Sequence, residues 1–201
     1  MKLPSIKPPS VVSIFGRRGS GKTTLCKALL PYLGPRIAIV DTLGEYRGCA
    51  SFSADGVSES LGRFFVRYQE PRNRWCVAVE GPQSERDFDW ICRVVETLED
   101  VVLVIDEANL YLDARRPVPP ALSRIVHVGR HYKQSLVVLT RRPADIPRLV
   151  TSQSMIISFA CHEPRDLAYL GAFMSGVDLP GLPEYSFVVY DEGRAEVFHG
   201  R

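Results

Sequence analysis

Apolar residues along this chain fall into short unbroken runs, separated by stretches in which they recur every three or four positions. Unbroken runs of that length belong to strands buried on both faces, and the intervening periodicity is helical. The pattern predicts strands at 11–15 (VVSIF), 36–40 (RIAIV), 75–79 (WCVAV), 101–105 (VVLVI), 135–139 (SLVVL) and 154–159 (SMIISF). It predicts helices at about 22–32, 57–69, 85–99, 119–130 and 164–174. Alternation of the two implies an α/β fold with a mostly parallel central sheet between two helical layers. Two last apolar runs flank Glu192-Gly193-Arg194 and read as a C-terminal β-hairpin over about 186–199. The segment RRPVPP at 115–120 breaks any helix and suits a loop beyond the strand at 101–105. Neither a repeat nor a linker divides the chain, so residues 1–201 read as one domain.

Composition changes this picture little. With 45% hydrophobic residues, a chain of 201 buries a sizeable core, about 70% of its unfolded surface. No apolar run approaches the roughly 18 residues of a membrane span, and the Pro-rich start MKLPSIKPPS lacks a signal-peptide core. A soluble, intracellular protein is expected. Cys26, Cys49, Cys76, Cys92 and Cys161 are scattered without a C-x-x-C pair, which argues against a zinc site or a disulfide framework and for small core residues or incidental thiols.

Charge changes it more. The net charge is only +2, yet acids dominate from Glu80 to Glu107 and bases from Arg115 to Arg148, where Asp145 is the lone acid. That asymmetry implies a polyanion-facing surface, a head-to-tail contact between unlike faces of two subunits, or simply two solvated faces.

Chemistry enters at residues 16–24, GRRGSGKTT, between the first strand and the first helix. This is the full G-x-x-x-x-G-K-[ST] phosphate-binding loop in its strand-to-helix context. Gly16 and Gly21 let backbone N–H groups curl around a polyphosphate, and Gly19 removes a side chain that would block it. Arg17, Arg18, Ser20 and Thr24 complete the loop, and the helix that follows aims its positive end at the same point. Lys22 reaches the β and γ phosphates, and Thr23 offers a hydroxyl to Mg²⁺, so ATP and Mg²⁺ are the expected cofactors. The strand VVLVI ends in Asp106 and Glu107. Ligands of open α/β sheets lie at the carboxyl ends of strands, which places Asp106 to hold Mg²⁺ through its water shell and Glu107 to polarise an attacking water. Two more strands run into polar groups on that rim, Asp41-Thr42-Leu43-Gly44-Glu45-Tyr46 and Thr140-Arg141-Arg142-Pro143. Asp41 and Glu45 there either reach the γ-phosphate region or cap the turn.

Taken together, GRRGSGKTT, DTLGEY, VVLVIDEA and GRHYKQSLVVLTRRPADIP resemble the HerA/FtsK superfamily of P-loop ATPases, over residues 11 to about 150. A bare core of this size resembles, within that superfamily, the genome-packaging ATPases of membrane-containing icosahedral viruses. The resemblance implies a three-layer, additional-strand, RecA-like P-loop NTPase fold. It implies an ATP-hydrolysing motor that translocates double-stranded DNA into a capsid, works as a homo-oligomer in the form of a hexameric ring, and grips DNA through backbone phosphates. Capsid or viral membrane proteins are the implied docking partners, and host cytoplasm or virion the location. By the same resemblance Lys22 and Thr23 are the Walker A lysine and Mg²⁺ ligand, Asp106 the Walker B aspartate and Glu107 the catalytic base. Arg130 resembles the arginine finger offered to a neighbour's nucleotide. One position departs from the family: Arg141 stands where a polar glutamine usually senses the γ-phosphate. Thr140 or Arg141 itself is then the sensor, and Arg141 and Arg142 compete with Arg130 as the finger. Two other functions fit the loop: a small-molecule kinase with Arg115, Arg116, Arg141 or Arg142 as lid arginines, and a nucleotide-gated assembly module that moves no DNA.

Overall fold

The computed structural model describes residues 3–53, 62–64, 73–81 and 83–200. Its strands are β1 (Val11–Phe15), β2 (Arg36–Asp41), β3 (Ala50–Ser53), β4 (Trp75–Glu80), β5 (Val101–Ile105), β6 (Ser135–Thr140), β7 (Ser154–Phe159), β8 (Phe187–Asp191) and β9 (Arg194–Phe198). Its helices are α1 (Lys22–Leu33), α2 (Glu85–Glu96), α3 (Pro120–Val128), the single turn α4 (Arg148–Thr151) and α5 (Pro164–Gly171). The expected elements are present with shifted ends. Of the helix expected at 57–69, only 62–64 are described, and they are helical; the rest lies outside the described residues.

The strands form one sheet in the order β3-β4-β2-β5-β6-β1-β7-β8-β9. Strands β1 to β7 pair in parallel, and β8 and β9 close one edge as the antiparallel hairpin read from the sequence. β6 is inserted between the phosphate-loop strand β1 and the acidic strand β5, so this is the additional-strand P-loop NTPase architecture.

Burial explains why apolar runs without alternation fold this way. Along β5, Val101, Leu103 and Ile105 face a core shared with Phe88, Ile91 and Val95 of α2 and Leu122 and Ile125 of α3. Val102 and Val104 face the opposite core with Leu25, Leu29 and Leu33 of α1. All five residues of β5 are fully buried, which only a strand covered on both faces requires. A smaller cluster of Phe15, Ile156, Val188, Leu170 and Met174 lies where α5 covers the hairpin end.

Two elements escaped the pattern. β3 is a short edge strand, ASFS, with too little apolar content to register. α4 is one turn, RLVT, below the length at which periodicity is legible. The expected helix at 85–99 stops at Glu96, because the buried Gln134 amide donates to the carbonyls of Glu96 and Leu98 and closes the chain end. No helix among the described residues is long and apolar enough to cross a membrane.

The expectation of unpaired cysteines is corrected for two of them: Cys49 and Cys76 form a disulfide. Cys76 lies on β4, and Cys49 immediately precedes β3, whose register pairs Ala50 with Val77. Parallel neighbours in register bring the two side chains face to face, a consequence of pairing that a sequence separation of 27 conceals. Cys26, Cys92 and Cys161 remain free. A bond closing a loop of that size removes unfolded-state entropy worth about 3 kcal/mol. Reduction, or Cys49→Ser, is therefore expected to lower the unfolding free energy by about that amount and the denaturant midpoint with it, with a steeper slope because the unlinked unfolded chain exposes more surface. An unchanged midpoint under reductant would mean that strand pairing alone holds this edge.

Candidate nucleotide site

Gly16 to Gly21 turn the chain from β1 into α1 at the carboxyl rim of the sheet. Gly19 (φ 76°) and Gly21 (φ 101°) occupy left-handed backbone that side chains rarely adopt. Gly16 is required by proximity instead, since a Cβ there would lie 2.6 Å from Ser20 Oγ and 2.8 Å from Phe159 Cβ. α1 then starts without a side-chain cap, leaving its first N–H groups directed into the loop.

Lys22 is buried, and its Nζ donates to the carbonyls of Gly16 (2.8 Å) and Arg17 (3.1 Å). Burial lowers the pKa of the ammonium, and the nearby Glu107 and Asp106 carboxylates oppose that shift. The lysine is thus held across the mouth of the loop, where a polyphosphate would compensate its desolvation. Thr23 Oγ1 donates to Asp106 Oδ2 at 3.4 Å. Burial raises the Asp106 pKa, while the Glu107 backbone N–H, donating to Asp106 Oδ1 at 2.8 Å, pulls it back. A buried carboxylate beside a hydroxyl is a hard-oxygen pair that a small divalent cation would satisfy, so the residues present fit Mg²⁺. When bound, such a cation neutralises phosphate charge.

Glu107 adopts φ 51° and ψ 48°, a left-handed conformation uncommon outside glycine. Arg141 grips its carboxylate through Nε (3.1 Å) and Nη2 (2.8 Å), both to Oε1. The unusual arginine of the fourth motif thus meets the candidate base within its own subunit. Thr140, the other candidate sensor, is fully buried; its hydroxyl donates to Asn109 Oδ1 and accepts from the Arg142 N–H. Arg142 forms ion pairs with the buried Asp166 (3.1 Å) and with Glu163 (3.3 Å), which engages it within the chain. Arg130 is exposed in a 3-10 turn at Gly129–Tyr132, before β6, whereas Arg141 follows β6. Six strand residues, about 20 Å, separate the two, and Arg130 lies at the opposite rim from its own phosphate loop.

Asp41 is buried, with Oδ1 accepting from Glu45 N and Oδ2 from Tyr46 N, both at 2.9 Å, so it caps its own turn. Glu45 remains exposed, near enough for its charge to act on Lys22 and Asp106. Sequence reasoning missed Asn109, which braces Thr140, and Tyr111, whose hydroxyl lies 2.9 Å from Thr42 Oγ1 and ties the second motif to the third. Neither residue belongs to a spacing pattern, and only contact identifies them.

The charge blocks meet each other. Arg116 pairs with Glu85, Arg124 with Glu96 and Arg141 with Glu107, each joining the basic stretch to the acidic one. Arg115 pairs with Asp113. Arg130, Lys133 and Arg148 make no ion pair with the described residues. The basic stretch, one side of the charge asymmetry in the sequence, is therefore partly neutralised within the chain.

Comparison with known proteins follows the same lines. The sequence matches the family described as AAA domain over residues 6–142. No curated protein matches it in sequence. Among solved structures, the genome packaging NTPase B204 from Sulfolobus turreted icosahedral virus 2 in complex with ATP-gammaS aligns with a TM-score of 0.78 at 23% identity, over 96% of this chain and 98% of that one. B204, the DNA-packaging ATPase from Sulfolobus turreted icosahedral virus, aligns at 0.71 and 22%, with the same coverage. VirB4 of Thermoanaerobacter pseudethanolicus aligns at 0.66 and 13%, over 92% and 87%. These likenesses establish a shared fold.

Glu107→Gln keeps shape and hydrogen bonding but removes the carboxylate charge. ATP is expected to bind the variant as before, with turnover reduced by about two orders of magnitude or more, as for loss of a general base. Equal loss of binding, measured by titration calorimetry, would place Glu107 among the metal ligands instead.

Proposed function

The chain belongs to the AAA domain family, and from that premise we propose that it is an ATP-hydrolysing motor that translocates double-stranded DNA, packaging a viral genome into a capsid. The observation that carries the hydrolytic part is the convergence of Lys22, the Thr23–Asp106 pair and Glu107 at one rim. In this reading Lys22 and the loop N–H groups bind the triphosphate, and Glu107 takes the proton of the attacking water. The loop side chains Arg17, Arg18 and Thr24 are exposed around the same mouth. The DNA-packaging part draws on likeness over nearly the whole of both chains to an enzyme that packages DNA.

Arg130 lies too far from its own loop to act in cis, and its exposure leaves it free to enter the site of a neighbour. Fingers of that kind contribute about 10³ to 10⁵ in rate. The site is then complete only in a head-to-tail assembly, a homo-oligomeric ring. Arg141, bonded to Glu107 in its own subunit, acts in cis on the base or on the γ-phosphate. Exposed ion pairs such as Arg116–Glu85 contribute little stability, so those arginines stay available to DNA phosphates beside Arg130, Lys133 and Arg148. The kinase alternative needs lid arginines, and Arg142 is held by the buried Asp166.

Steady-state ATPase, measured with and without duplex DNA over a range of protein concentrations, tests this function. Specific activity is expected to rise with concentration and with DNA, and DNA binding to weaken steeply with salt, without sequence preference. Turnover indifferent to DNA would leave an assembly module. Mixing Arg130→Ala with Lys22→Ala subunits, each inactive alone, is expected to restore part of the activity, because some interfaces pair an intact loop with an intact finger. Arg141→Ala mixed with Lys22→Ala is expected to stay inactive. The inverse outcome would make Arg141 the finger.

A further inference from the structure

Asp41 caps its own turn, and the turn it fixes carries Tyr46 into the molecule. The Tyr46 N–H donates to Asp41 Oδ2 at 2.9 Å, and the Asp41 carbonyl accepts from the Gly81 N–H at 3.1 Å, which ties the turn to the end of β4. The Tyr46 side chain joins the core under α1 and is only 3% exposed. From α1, Lys27 Nζ stands 5.1 Å from the centroid of the Tyr46 ring and donates to the Glu45 carbonyl at 2.6 Å. Turn, core and helix thus hold the ring in one place.

This fixed ring ends in a hydroxyl that has no hydrogen-bond partner among the described residues. Its neighbours are Cys26 of α1 and Asp106 at the end of β5, and it acts on both without a formed hydrogen bond. Tyr111 on the same rim shows the ordinary outcome: its hydroxyl lies 2.9 Å from Thr42 Oγ1 and accepts from the Gln83 N–H at 3.2 Å. A buried hydroxyl left without a partner destabilises the protein that carries it, so its retention at this point calls for a use. Of its two neighbours, the Cys26 thiol is a weak acceptor, whereas the Asp106 carboxylate is a strong one with about four lone-pair sites. Two of those sites are engaged, by the Glu107 N–H at 2.8 Å and by the Thr23 hydroxyl at 3.4 Å.

We infer that Tyr46 is a positioning residue for Asp106, its hydroxyl donating to that carboxylate when ATP and a divalent cation occupy the site. The inference rests on the reading of the loop as an ATP·Mg²⁺ site. A third donor, fixed by the core behind it, restricts rotation of the Asp106 side chain and presents its remaining lone pairs toward Thr23. Burial pushes the Tyr46 pKa up, so the group arrives as a neutral O–H and adds no charge to a buried site. Groups that hold a metal's ligands in place in this way are typically worth about 10- to 100-fold in metal affinity. The DTLGEY block thereby gains a part in the chemistry: Asp41 shapes the turn, and the turn delivers Tyr46 to the acid at the end of β5.

Titration calorimetry of the full chain with ATPγS, in Mg²⁺ and in EDTA, tests it, because the ratio of the two affinities measures what the cation contributes. Tyr46→Phe keeps the ring and its contact with Lys27 and removes only the hydroxyl. It is expected to reduce the Mg²⁺-dependent gain in affinity about 10- to 100-fold, to leave the affinity in EDTA unchanged, and to leave the ligand-free melting temperature unchanged or higher. A lower melting temperature overturns the inference, since the hydroxyl would then be bonded as a structural group in the ligand-free protein. An undiminished Mg²⁺-dependent gain overturns it while leaving the ATPase reading intact. Equal loss in Mg²⁺ and in EDTA overturns it too, by placing the effect on the loop. If wild type binds no ATPγS, or binds it equally in Mg²⁺ and EDTA, the ATP·Mg²⁺ site itself fails and the role of Tyr46 with it. In an Asp106→Asn background, Tyr46→Phe is expected to cost far less than in wild type, because it acts through that carboxylate; additive losses overturn the assignment.

Discussion

Parallel pairing of β1, β6 and β5 is the constraint on which the rest of the molecule depends. In that register Phe15 lies beside Thr140, and Ile105 beside Val138, so the chain leaves all three strands at the same rim. Gly16, Asp106 and Arg141 follow directly, and the whole site is gathered without any long-range loop. The pairing holds because both faces of these strands are covered, by α1 on one side and by α2 and α3 on the other. With full burial on both faces, a slip by one residue would exchange every side chain between two differently shaped cores. Rigidity of the rim is therefore a product of the core rather than of the loops.

On that rigid rim, local strain and buried charge are concentrated. Gly19, Gly21 and Glu107 all take positive φ around one loop. Lys22 and Asp106 are buried with their pKa values displaced toward the neutral forms by desolvation. Such features are tolerated when surrounding structure over-determines them, and they leave polar groups whose best partners are a polyphosphate and its metal. The Arg141–Glu107 pair adds a contact that restrains the candidate base within its own subunit.

Charge at the opposite rim has another origin. Arg130 is exposed at the start of β6, with Tyr132 and Val128 exposed beside it. Strand length alone separates this rim from the rim that carries the phosphate loop, so the molecule presents unlike ends.

Periodicity and motif spacing were enough to determine the layered parallel fold, the phosphate loop, the acidic strand end and the terminal hairpin, because each is written in residues close together in the chain. The Asp106–Thr23 contact was legible for the same reason: strand ends in such a sheet converge by rule. Pairing decided the remainder. The Cys49–Cys76 bond depends on the register of β3 and β4, and the mutual neutralisation of the acidic and basic stretches depends on α2 lying against α3. Asp41 was ambiguous in the sequence and became a turn cap only when its two backbone donors were in place. Arg142 looked like a candidate finger until the buried Asp166, 24 residues further along, was seen to hold it. Local patterns encode which elements form and where chemistry is offered; contacts between distant segments decide which of those groups are already engaged, because burial and register exist only in the assembled sheet.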